Sequence, residues 1–198
     1  MRRLLLSGLV TAALCASAPA QAAPYNDYLA RLDQLITSYA TFNFTPQEIA
    51  SIDSAVRSRP EGFGPEMYGP YIDLVERTAD KLATFGYSPD ELQVLSLLAR
   101  AAPQVNPRQF VNDRAYRRFL DFMGRSIKRM ATFDFDQNEL QAIDILSQVA
   151  PSLELTQPAY DGAYAAWTVF VADLERTFST FGISGPEQQV LERARRLR

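Results

Sequence analysis

Apolar residues along this chain keep two periods, one helical and one much longer. Counting from Tyr25, apolar side chains fall three, seven and fourteen residues on, at Tyr28, Leu32 and Tyr39. The same offsets from Tyr68 reach Tyr71, Val75 and Leu82; from Tyr116 they reach Phe119, Met123 and Met130; from Tyr164, Trp167, Val171 and Phe178. That spacing puts each set on one stripe of an α-helix, called helix A. Seventeen residues after every tyrosine comes a phenylalanine in an Ala/Ser-Thr-Phe phrase: Phe42, Phe85, Phe133 and Phe181. A fixed spacing met four times predicts four tandem copies of one unit, over residues 25–67, 68–115, 116–163 and 164–198.

The turn after each phenylalanine carries stop and start signals back to back. Asn43, Gly86, Asp134 and Gly182 tolerate left-handed backbone. The apolar Phe44, Tyr87, Phe135 and Ile183 follow. This predicts a Schellman-type helix end, the apolar residue folding back on Tyr39, Leu82, Met130 or Phe178. Next stand Thr45, Ser88, Asp136 and Ser184, with Glu48, Glu91, Glu139 and Glu187 three residues later, the pattern of a capping box. Pro46 and Pro89 suit a first helical position. Helix B then runs through Ile49, Ile52 and Val56, through Leu92, Leu95 and Ala99, and through Leu140, Ile143 and Ser147. Pro60, Pro103 and Pro151 end it in the first three copies. In the last copy Gln188, Gln189, Glu192 and Arg193 make it polar, as suits a terminal repeat with nothing to cover its outer face.

The expected fold is therefore all-α: four tandem antiparallel helical hairpins, eight helices, forming a compact pseudo-twofold bundle or a short α-solenoid. The short first link and the aromatic load favour the bundle. Copies one and three share Ile52-Asp53 and Ile143-Asp144, while copies two and four share Gln93-Val94-Leu95 and Gln189-Val190-Leu191. A hairpin doubled, then doubled again as a pair, accounts for this and predicts similar halves over 25–115 and 116–198. Links 104–115 and 152–163 read as loops with room for a short helical turn.

Residues 1–22 alter the picture. Arg2 and Arg3, the apolar run Leu4 to Ala16 and Ala20-Gln21-Ala22 form a secretory signal, too short to span a bilayer. A lipoprotein reading would need a small residue before Cys15, where Leu14 stands, so cleavage is expected near Ala22 or Ala23. The mature product, residues 23–198 as a single repeat domain, is then periplasmic or secreted and keeps no transmembrane segment. Removing Arg2 and Arg3 from 20 basic residues leaves 18 against 23 acidic ones, a net charge of −5. That balance argues against nucleic acid as a partner. A hydrophobic content of 47 % is that of a globular chain, not a disordered one.

Candidate chemistry is sparse. The chain has no histidine, and its one cysteine, Cys15, departs with the signal. Serine–histidine and cysteine–histidine nucleophiles, thiolate metal sites and ordinary zinc sites are thereby excluded, and no phosphate loop occurs. Residues 134–139 place oxygen ligands at alternate positions, but Glu139 replaces the turn glycine and Ile145 the bidentate glutamate of a calcium loop. No cofactor or metal is expected, and the recurring glutamates read as caps, not catalytic acids. Asp53 and Asp144 read as solvated or bracing carboxylates, with a paired-carboxylate site as the alternative.

A binding surface is sought among Tyr25, Tyr68, Tyr116 and Tyr164, whose rings either pack in the core or line a groove. The cationic stripe of the third helix A, with Arg117, Arg118, Arg125 and Arg129, is the place for an anionic partner to touch. Arg193, Arg195, Arg196 and Arg198 complement the last helix's dipole or dock an acidic partner. The functional expectation is a protein or peptide interaction module of the cell envelope. The alternative is a carrier of a small apolar, lipid-like ligand in an aromatic-lined cavity; an enzyme would have to work with carboxylates, tyrosines and arginines alone.

Overall fold

Each tyrosine-led stripe folds as a helix that ends on the same repeat position. The computed structural model describes residues 19–40, 44–61, 65–84, 86–103, 113–131, 135–151, 161–179 and 182–197. Within these, the A helices are α1 (Pro19–Tyr39), α3 (Tyr68–Leu82), α5 (Asp113–Met130) and α7 (Asp161–Phe178). The B helices are α2 (Pro46–Arg57), α4 (Pro89–Arg100), α6 (Gln137–Ser147) and α8 (Gly185–Arg195). A short 3₁₀ turn, Pro65–Met67, leads into α3. The described residues are all-helical apart from their turns, as expected.

The A helices stop differently from the Schellman expectation. Each closes with an ordinary α-type bond one residue past its end, Ala40 to Ile36 at 2.9 Å and Ala83 to Ala79 at 3.0 Å among them. In α3 the Thr84 hydroxyl then donates to the Lys81 carbonyl (2.8 Å), offering the backbone a local alternative to another turn. Gly86 and Gly182 are left-handed, with φ of 86° and 92°, but they lie within the turn, beyond the helix end proper. Asn43, Asp134 and the four Thr-Phe phenylalanines lie outside the described residues. Tyr87 does fold back, its hydroxyl donating to Ala79 O (3.2 Å). Phe135 meets Phe178 of the next hairpin edge-on, with ring centres 5.8 Å apart.

All four capping boxes are formed. The backbone N–H of Thr45, Ser88, Asp136 and Ser184 donates to its glutamate at 2.8, 2.7, 3.0 and 2.7 Å. Asp136 departs from the Ser/Thr consensus yet makes the shortest return bond, 2.7 Å from Glu139 N against 3.3 Å in the others, because its acceptor is charged. Helices α2, α4 and α6 end before their prolines.

The helices pack as a compact bundle in two layers, A helices in one and B helices in the other, each hairpin resting on the next in chain order. Burial reveals which positions make these interfaces. Four residues after the tyrosine, Leu29, Ile72 and Leu120 are buried, but the last copy has exposed Thr168. Eleven after it, Ile36, Ala79 and Ile127 are buried, and the last copy has half-buried Glu175. Six after it, Leu74, Phe122 and Phe170 are buried, while the first copy has exposed Arg31. Each Leu, Ile or Phe so covered stabilises the stack by about 1.5–3 kcal/mol. The first and last copies carry polar residues at these positions, Arg31, Thr168 and Glu175.

The pairwise history is visible in the core. Tyr25 donates its hydroxyl to Ala101 O (3.2 Å) and Tyr116 to Leu197 O (2.6 Å), so copies one and three each reach the end of the following hairpin's B helix. The residue three positions on bonds within its own hairpin in copies one, two and four: Tyr28 donates to Val56 O (3.2 Å), Tyr71 to Leu98 O (2.9 Å) and Trp167 to Ala194 O (3.1 Å).

Candidate functional site: an open seam between the third and fourth hairpins

Neighbouring A helices are stitched by charges that alternate in sign across each seam. Between α3 and α5 there are three pairs: Arg118 with Asp73, Arg125 with Glu76 (Nε to Oε1, 2.7 Å) and Arg129 with Asp80. On α5 the three arginines stand about two turns and then one turn apart and close the seam along its length. Between α1 and α3, Arg77 pairs with Asp33 (2.8 Å). In these four pairs the earlier hairpin supplies the acid and the later one the base. Exposed pairs of this kind are each worth about 0.2–1 kcal/mol, so they set register more than stability.

The α5/α7 seam uses the same positions with different residues. Where α3 offers Asp73, Glu76 and Asp80, α5 offers Asp121, Gly124 and Lys128. Where α5 answers with Arg118, Arg125 and Arg129, α7 has Ala166, Asp173 and Thr177. Among the described residues the seam is tied near its two ends: the Arg117 guanidinium donates to Gly162 O (3.3 Å), and Lys128 pairs with Asp173. Asp121 faces the position where an arginine is replaced by Ala166, and it has no ion-pair partner among the described residues.

An open groove of about 940 Å³ results, with Leu120, Gly124, Val169 and Phe170 among its apolar lining and Arg117, Arg125 and Arg176 on its edges. Gly124 leaves room: a methyl there would sit 3.7 Å from the Phe170 ring, an ordinary contact. Val169 is 69 % exposed, the most exposed large apolar residue described. Asp173 is bonded by both Lys128 and Arg176, and the Lys128 hydrogen bond, followed by that of Arg176, holds its carboxyl below the usual range.

The sequence candidates do not gather on one surface. Tyr25, Tyr68 and Tyr116 are buried, and burial raises the pKa of all three. Tyr28, also buried, is pushed up to about 12. Tyr164 is 47 % exposed. Arg118 and Arg129 are committed to the closed seam, Arg125 belongs to that seam and edges the groove, and Arg117 lies on the groove.

Asp53 and Asp144 lie on different hairpins, each bonded to an arginine of the hairpin above. Asp53 meets Arg100 (2.5 Å) and its own-helix Arg57 (2.8 Å), and these bonds, Arg57 foremost, lower its pKa. Asp144 takes Arg193 on both oxygens, at 2.5 and 3.0 Å. Arg195 pairs with Glu175 (2.6 Å), which ties the basic end of α8 to α7. Asp136 and Glu139 are engaged in their capping box.

Sequence reasoning by stripes missed Asp121, Gly124, Val169, Asp173 and Arg176. Comparing the copies position by position would have found them, since the acid-to-base complement breaks there. No known protein family, curated protein or solved structure matches this chain. Among the described residues no helix is long and apolar enough to cross a membrane.

Proposed function

We propose that this chain is an exported interaction module that holds a protein or peptide segment along the α5/α7 groove. The observation that carries the reading is the altered seam: at α5/α7 the three acid-to-arginine pairs of the α3/α5 seam give way, among the described residues, to one pair of reversed sign, Lys128 with Asp173, and exposed Val169 lies beside charged edges. A long open trough with an apolar floor and charged rims suits a peptide chain. It suits a small lipid-like ligand less well, since such a ligand calls for an enclosed, aromatic-lined cavity, and Phe170 is the one aromatic ring on this groove.

Export rests on the pattern of residues 1–22. Pro24 lies inside α1, where it lacks an N–H for the helix ladder; cleavage at Ala22 or Ala23 would put it in the first turn, where that loss costs nothing.

The test is a photo-crosslinking residue placed at Val169 in producing cells, with exposed Ser51 on α2 as control. A discrete protein adduct at 169 and none at 51 is the expected result. Absence of any adduct at 169 in the envelope fraction would count against the module.

A further inference from the structure

We propose that the groove selects an acidic amphipathic segment, one whose apolar residue seats on Val169 and Phe170 while a carboxylate reaches Arg176. This rests on reading the groove as the binding site, and it adds the chemistry of the occupant. The charges along the groove are unevenly balanced. At the end nearer the helix starts, Arg117 and Asp121 offset each other one turn apart on α5. In the middle, Gly124, Val169 and Phe170 are without charge. At the other end Arg125 is answered by Glu76, but Lys128 and Arg176 share the single carboxylate of Asp173.

One positive charge is therefore left over, at the end where the side chain of Arg176 is 82 % exposed. Of that guanidinium's five donors, one bonds to Asp173. The rest can take an incoming carboxylate in the two-pronged geometry arginine favours. Val169 and Arg176 are seven residues apart on α7, about 10 Å along the axis. A partner helix meets both with an apolar residue and a Glu or Asp two turns apart on one face.

The internal precedent points the same way. In the closed seam the arginines of one helix meet acids of its neighbour, and the surplus here is a cation with the acid missing.

Two amphipathic peptides with one shared Leu/Ala face, flanked in one by glutamates and in the other by lysines, test this on the whole protein by fluorescence anisotropy. The glutamate peptide is expected to bind about ten-fold more tightly, the sum of one gained pair and one like-charge penalty. The preference should shrink as salt is raised. It should reverse in Arg176→Glu, whose urea midpoint stays near wild type because the side chain is exposed. Equal binding, or a lysine preference in the wild type, overturns the proposal. If Val169 crosslinks in cells while the glutamate peptide shows no advantage, the charge inference alone fails. If neither peptide binds and Val169 crosslinks to nothing, the binding reading falls with it.

Discussion

The α3/α5 and α5/α7 seams are built from the same repeat positions on parallel helices, yet the outer row of one is closed by charge pairs and that of the other carries a surface groove. Both keep the apolar contact beneath: Phe122 is buried under the first and Phe170 under the second. What differs is the outer row. Asp73, Glu76 and Asp80 find Arg118, Arg125 and Arg129 across the first seam, whereas Asp121 and Gly124 look toward Ala166 and Asp173. The lesson is a division of labour within one repeat: the inner row holds the stack, so the outer row is free to change without loss of the fold.

The inner row gives the sharpest test of that division. Phe122→Ala should cost about 3–5 kcal/mol in urea unfolding, as for a fully buried phenylalanine. Phe170→Ala, on the floor of a groove that water already enters, should cost clearly less. Equal losses would mean that the two seams are equally sealed.

Alkali should act on the core and spare the open seam. Tyr25, Tyr71 and Tyr116 are buried, and burial raises their pKa. Their contribution is fully present below the unfolded value of about 10 and is lost as pH climbs toward the folded values, at about 1.4 kcal/mol per pH unit for each tyrosine. Circular dichroism should show unfolding above pH ~10, with absorbance of the buried phenolates appearing in the same transition.

Closing the open seam is a smaller change with a clear direction. Ala166→Arg copies the position of Arg118 and offers Asp121 the partner that Asp73 has. A gain of roughly 0.2–1 kcal/mol is expected, removed by a second change of Asp121→Asn, together with weaker crosslinking at Val169. A stabilised protein whose crosslinking is undiminished would place the partner elsewhere.

Acid should produce the slightest effect. The carboxyls of Asp53 and Asp173 are held below their ordinary value by the hydrogen bonds of Arg57 and Lys128 respectively, with Arg100 and Arg176 adding to them. Their stabilisation is present above pH ~4 and fades as pH falls through the folded values. Asp173→Asn should flatten that decline in a urea-midpoint profile, and a profile unchanged by the substitution would show that the pair does not hold the end of the groove.

What the sequence by itself determined was everything local. Helix stripes, caps and the alternation of copies follow from residue types a few positions apart, and such interactions form in the same way wherever the hairpin ends up. All four boxes from Thr45 to Glu187 were legible for that reason, and so was the polar last helix. The detailed helix stop was not, because the left-handed Gly86 falls four residues past the end of α3, where a bond from the Thr84 hydroxyl to Lys81 O has already intervened. Tertiary structure alone decided what lies across from each stripe. The arginines of α5 are an exposed cationic face in the sequence and a row of ion pairs once α3 is placed beside them, and three of the four leading tyrosines are core for want of any solvent left to meet. The groove belongs to that second class: it is defined by side chains that fail to meet across 45 residues of chain, and no local rule records a missing partner.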